Sequence, residues 1–176
     1  MSRQKGDIMR EVLISIQPKW VEKIVSGEKT VEVRKTKPKL DTPFKVYIYE
    51  TKALYKPNGC KCLYEGKGKV IGEFVCDRIT KYECSSVGFG ELATTCGTCL
   101  TYDEILNYCN GNDLYGWHIT DLVVYVEPRE LRDFKLYNVR TYIDEKSGLP
   151  MPTHEIARPF QSWGYIKAKE PRQTAD

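Results

Sequence analysis

The chain has 176 residues, 41% of them hydrophobic and 29% charged, with a formal net charge of +3. This is the composition of one ordinary globular domain with enough chain for a proper core. No apolar run reaches the roughly 18 residues of a membrane helix, and the polar opening lacks a signal core, so nothing suggests a spanning or exported protein and a cytoplasmic one is expected.

In chain order, residues 1–10 read as a tail, 11–170 as a single domain and 171–176 as a second tail. Val12, Ile14 and Ile16 share one face of a first strand. Pro18 suits the first turn of a helix, where its missing N–H costs nothing. Trp20, Val21, Ile24 and Val25 then recur at helical spacing and should bury. Gly27 is the natural left-handed stop. An alternating strand begins at once, with Val31 and Val33 on one face and Thr30, Glu32 and Arg34 on the other.

Lys35 to Pro43 is a basic, proline-containing loop. Lys45 to Thr51 is the next strand, with Tyr47 and Tyr49 sharing a face. A long loop covers 52–69, and Val70 to Cys76 forms another strand. Residues 80–100 look irregular. Thr101 with Glu104 is a capping box whose helix carries Tyr102, Ile105, Leu106 and Cys109 on one face before Gly111 closes it. Trp117 to Val126 is a strand that Pro128 ends. Residues 135–157 suggest a hairpin or long loop turning at Lys146-Ser147-Gly148, and Ser162 to Ile166 a closing strand. Many short strands, few helices and no alternating strand–helix rhythm predict an α+β, mainly β fold: a small barrel or curled sheet with two or three short helices packed on it.

Charge is uneven. Residues 1–56 carry a balance of +6, residues 57–134 of −5 and residues 135–176 of +2. The basic first third is either solvated surface or the footprint of a phosphate-bearing partner.

The face of Lys29, Thr30, Glu32 and Arg34 is the leading candidate site. It is either exposed strand surface with weak charge pairs or the floor of a cleft. In a cleft, Arg34 would clamp a phosphate or carbonyl, Glu32 would accept from an amino or hydroxyl group, and Lys29 would serve as acid or base. Tyr47, Tyr49 and Lys52 would supply base stacking and charge, unless the tyrosines are core. Gln161 and Ser162 would reach the same cleft, with Trp163 in the core. His118 and His154, far apart in sequence, compose no triad and read as structural. Cys60, Cys62, Cys96 and Cys99 offer four loop thiolates for a zinc ion, against free thiols in a reducing compartment. No nucleotide-loop or dinucleotide fingerprint is present, so no other cofactor is expected.

The stretches Ile14 to Trp20, Ser26 to Arg34, Val46 to Thr51, Val70 to Phe74 and Arg158 to Trp163 together resemble the ASCH-domain family of phage and bacterial type. Residues 52–69 and 80–115 would be variable insertions. The resemblance implies a PUA-like β-barrel with a cleft beside the first helix, associated with RNA or modified nucleosides. One branch hydrolyses acetylated cytidine with a lysine, a threonine and a glutamate. Lys29 matches that lysine, but Glu32 stands where the threonine nucleophile falls, Thr30 lies one strand step earlier, and Glu73 is the candidate glutamate. For a ribonuclease branch, Tyr47, Lys52 and Ser162 are the counterparts to consider.

Three functions follow as expectations. The first is a module binding RNA or a modified nucleoside. The second is a hydrolase on a modified nucleoside or RNA, with Lys29, Glu32 and Thr30 as its catalytic set. The third is a zinc-stabilised interaction domain.

Overall fold

The computed structural model describes residues 10–56, 63–143 and 146–167. Of the expected tails at 1–10 and 171–176, residues 1–9 and 171–176 lie outside the described residues, as do the thiols Cys60 and Cys62.

The chain runs β1 (Glu11–Ile16), α1 (Pro18–Val25), β2 (Val31–Arg34) and β3 (Phe44–Glu50), then a small hairpin of β4 (Leu54–Tyr55) and β5 (Tyr64–Glu65). It continues through β6 (Lys69–Tyr82), α2 (Ser86–Thr94), α3 (Tyr102–Cys109), β7 (Leu114–Arg129), a 3-10 turn at Leu131–Asp133, β8 (Lys135–Ile143), β9 (Pro150–Glu155) and β10 (Trp163–Lys167). Eight strands form one sheet in the order β2-β7-β6-β3-β1-β10-β8-β9. The architecture is the expected sheet-rich α+β one, with three α-helices among the described residues. No ladder joins the end strands β2 and β9 among the described residues, so the sheet is open rather than a closed barrel.

β1 and β3 pair in parallel, Val12 opposite Val46 and Ile14 opposite Ile48. Their alternation fills both sides of the sheet. Val12, Ile14, Ile16, Val46 and Ile48 join Val21 and Ile24 of α1 and Trp117 in a first core. Leu13, Tyr47 and Tyr49 join Phe134 and Ile166 in a second, on the opposite face. Val33 joins Leu92 of α2, Ile105 of α3 and Leu114 in a third. Burial in these clusters, about 25 cal/mol per Å² of apolar surface, is what fixes α1 and the α2–α3 pair on either side of β2.

Several elements differ from expectation. β6 and β7 have 14 and 16 residues, longer than the sequence pattern suggested, and Pro128 lies inside β7. Their ladder shifts register three times, and such bulges let long strands bend. Residues 86–94 form a helix despite Gly88 and Gly90, with Ser85 accepting from the Gly88 amide and Phe89 and Leu92 buried. Tertiary burial outweighs the roughly 1 kcal/mol helix cost of each glycine. Val25, the last residue of α1, is 46% exposed rather than buried; on the apolar face of α3, Ile105 and Cys109 bury while Tyr102 and Leu106 stay exposed. No helix among the described residues is long and apolar enough to cross a membrane.

Candidate functional site

The site begins where α1 stops. Gly27 turns the chain at φ +81°, a conformation that a side chain would strain. The Lys29 amide then donates to Lys23 O at 2.8 Å, and the Thr30 and Val31 amides both donate to Gly97 O, at 2.9 and 3.0 Å. Residues 29–31 are thus clamped between the end of α1 and the α2–α3 loop. β2 starts at Val31, so its alternation sends Glu32 and Arg34 to one side and Val33 to the third core.

Those two side chains meet Lys29. Arg34 Nη2 lies 3.0 Å from Glu32 Oε1, and Lys29 Nζ lies 3.6 Å from Glu32 Oε2. Lys29 Nζ also donates to Val31 O at 2.9 Å and to Thr98 O at 2.6 Å. Arg34 Nη2 donates to Ser15 O at 2.7 Å, and Nη1 reaches Ser162 Oγ at 3.4 Å. All three ionic side chains are at least nine-tenths buried. A buried carboxylate between two cations is tolerable only with such partners, because desolvating an unpaired charge costs several kcal/mol.

This cluster forms the floor of a cleft of about 840 Å³. Trp20 of α1 forms one wall, Tyr108 and Asn107 of α3 another, and Gln161 and Ser162, just before β10, a third. Lysines stand at both aromatic walls: Lys19 Nζ is 4.1 Å from the Trp20 ring centre, and Lys35 Nζ is 5.1 Å from that of Tyr108. Lys19 also pairs with Glu104 at 3.7 Å, linking α1 to α3 at the rim. Glu104 is fixed there by its capping box with Thr101.

Burial holds the Lys29 ammonium below the ordinary lysine pKa, with Glu32 offsetting part of the effect. Burial pushes the Tyr108 phenol up. Two polar atoms lining the site, Arg34 Nε and Thr51 Oγ1, are buried without a hydrogen-bond partner among the described residues.

Of the residues singled out from sequence, Lys29, Glu32, Arg34, Gln161 and Ser162 come together here. Thr30 does not; it precedes the strand, is exposed, and its hydroxyl lies against Gly97. Tyr47 and Tyr49 are core residues on the other face of the sheet, Tyr47 edge-on to Phe134 at 5.0 Å. Lys52 is exposed, and its side chain lies across Gly68. Glu73 pairs with Lys45 at 2.9 Å and accepts from Tyr125, away from the cleft. His118 is held by Thr80 and Arg78 on the β6–β7 ladder, and His154 falls on β9. Cys96 is exposed, while Cys99 is half-buried and donates to Glu28 O at 3.4 Å. Among the described residues no group of three or more His, Cys, Asp or Glu side chains is placed to hold a metal. The aromatic walls were missed as site residues: Trp20 was read as core, and Tyr108 lies off the apolar face of α3.

Comparison with known proteins points one way. A family model described as the ASCH domain matches residues 14–144. A crystal structure of ASCH from Zymomonas mobilis is 24% identical over 69% of this chain and 73% of its own, with a TM-score of 0.50. A crystal structure of a single-substitution variant of the Zymomonas mobilis protein aligns over 90% of this chain and 89% of its own, at 20% identity and a TM-score of 0.53. No curated protein sequence matches. At these identities the solved structures speak to the fold, and the cleft must speak for the chemistry.

Proposed function

This chain belongs to the ASCH domain family, and on that premise we propose that it binds RNA, taking one nucleoside unit into the cleft between α1, β2 and α3. The family has a PUA-like fold and is linked to RNA binding. The observation that supports this reading most is the braced carboxylate, Glu32 between Arg34 at 3.0 Å and Lys29 at 3.6 Å, on the floor of an aromatic-walled cleft.

Each part has a chemical task. Trp20 and Tyr108 offer π-faces, and stacking a base is worth about 1–3 kcal/mol. Glu32 accepts from an exocyclic amino or a ribose hydroxyl. Arg34 Nη1, bound to Ser162 only at 3.4 Å, has donor capacity left for a carbonyl or phosphate while Nη2 stays on Glu32 and Ser15. Lys19 and Lys35 at the rim, with Lys37 and Lys39 following in the exposed loop, attract the phosphate backbone. Ultraviolet crosslinking to a single-stranded oligoribonucleotide, followed by peptide mapping, tests the location. Crosslinks should fall on the peptides bearing Trp20 and Tyr108; crosslinks confined to the sheet face of Tyr47 and Tyr49 would refute it.

A second reading, hydrolysis of an acylated nucleoside or of RNA, has one observation in its favour: burial depresses Lys29, as suits a general base. Against it, the Lys29 ammonium already faces two carbonyls and Glu32. Turnover of acetylcytidine or RNA that disappears in Lys29→Ala would establish it. No turnover by the native protein would remove it.

A further inference from the structure

The loop Cys96-Gly97-Thr98-Cys99 joins α2 to α3 and grips the start of the cleft strand. Gly97 O takes the amides of Thr30 and Val31, and Thr98 O takes Lys29 Nζ at 2.6 Å. The Thr98 amide and hydroxyl both return to Thr95 O, at 3.4 and 3.2 Å, so Cys96 and Gly97 are the middle of a tight turn. Cys96 is exposed, and Cys99 follows that turn at φ +58°, an unusual conformation for a side-chain-bearing residue. Its thiol spends its hydrogen on Glu28 O, 3.4 Å away.

We propose that Cys96 and Cys99 form a reversible disulfide that loosens the Thr98 carbonyl from Lys29 and weakens the cleft. The oxidant is a low-molecular-weight disulfide such as oxidised glutathione. One cysteine thiolate attacks it, forming a mixed disulfide and expelling one thiol. The second cysteine then attacks that mixed disulfide, closing the Cys96–Cys99 bond and expelling the other thiol. Two protein thiols are oxidised and one external disulfide is reduced to two thiols.

The mechanical consequence follows from geometry. A disulfide brings two sulfurs to about 2 Å and two Cα atoms to about 4.4–6.8 Å. Cys99 must therefore turn from Glu28 toward Cys96, and it loses the hydrogen it donates there. Thr95 and Leu100 flank the loop, the former fixed to Tyr82 at 3.1 Å and to Glu91 O at 2.8 Å, the latter packed on the third core. The rearrangement that closing the bond requires falls between these anchors, where the carbonyls of Gly97 and Thr98 hold residues 29–31.

The effect on affinity rests on the RNA-binding reading; the effect on Lys29 does not. The full-length protein is incubated with oxidised glutathione or with a reductant, and disulfides are mapped by mass spectrometry. Lys29 is then probed with an amine-acylating reagent, and affinity is read with a labelled single-stranded oligoribonucleotide. Oxidation should yield a Cys96–Cys99 bond, speed Lys29 acylation about tenfold and weaken binding about tenfold, all reversed by reductant. Cys96→Ser should bind like the reduced native protein and ignore the oxidant. Absence of the Cys96–Cys99 bond, or its formation with Lys29 still protected, overturns the proposal. If Lys29 responds but neither form binds RNA, the switch stands and the RNA-binding reading falls.

Discussion

The carboxylate of Glu32 and the guanidinium of Arg34, two residues apart on β2, meet at 3.0 Å with no more than a tenth of either side chain exposed to solvent. Strand alternation puts both on one face, and the clamp at Gly97 sets where the strand begins. Lys29 completes the cluster from the residue preceding Thr30, outside the alternation altogether.

Removing the carboxylate should expose that dependence. Glu32→Ala strands two buried cations and should cost about 3–5 kcal/mol, a fall in melting temperature of roughly 10 °C for a domain of this size. Glu32→Gln keeps an acceptor for Arg34 and should lose less. Thermal unfolding of both variants checks this; an alanine variant melting with the native protein would show that the cluster contributes nothing.

Burial of Lys29 makes stability depend on pH with a definite sign. Its folded pKa lies below the unfolded value of 10.5, so between the two values the unfolded chain binds more protons. Stability from this group therefore rises as pH climbs toward 10.5 and is level below the folded pKa. Raised tyrosines such as Tyr47 and Tyr125 act oppositely above pH 10, their ordinary value, so the comparison with Lys29→Met isolates the lysine. Denaturant unfolding across the alkaline range should show native stability gaining on the variant. A stability of the native protein that falls relative to the variant as pH rises would reverse the assignment.

Gly97→Ala should disturb the clamp itself. Gly97 has φ +85°, and a methyl group there would sit 2.0 Å from Thr30 Oγ1. Strain alone costs about 1–3 kcal/mol, and the carbonyl that holds Thr30 and Val31 must shift. Lower stability with faster Lys29 acylation is expected. A variant with native melting and native Lys29 protection would argue that the loop does not position the strand.

Tyr47→Phe distinguishes core from cleft. Its hydroxyl donates to Glu11 at 3.1 Å within the second core, so the loss should be about 1 kcal/mol of stability. RNA affinity should not change. A tenfold weaker complex would return Tyr47 to the binding surface.

Much of the site could be read before folding. The helix stop at Gly27, the alternation of Val31 to Arg34 and the Thr101–Glu104 capping box are local signals, and local signals survive into the structure. Tyr47 and Tyr49 were ambiguous for a physical reason: β3 lies between β1 and β6 with both faces covered, so alternation could not say which face was dry. Thr30 fell off the pattern because the strand starts one residue later. α2 was hidden by two glycines, one of them packed so that a Cβ would sit 2.4 Å from Glu83 O. Tyr108 became a wall only when the third core docked α3 against β2, a long-range event with no local mark.

Equilibrium binding of a single-stranded oligoribonucleotide at several salt concentrations, for the native protein, Arg34→Lys and Lys35→Ala, bears most directly on the cleft as the RNA site. Affinity should fall linearly with the logarithm of salt; Arg34→Lys should weaken it at every salt, and Lys35→Ala should reduce the slope by about one. Native affinity indifferent to salt, and equal in all three proteins, would contradict it.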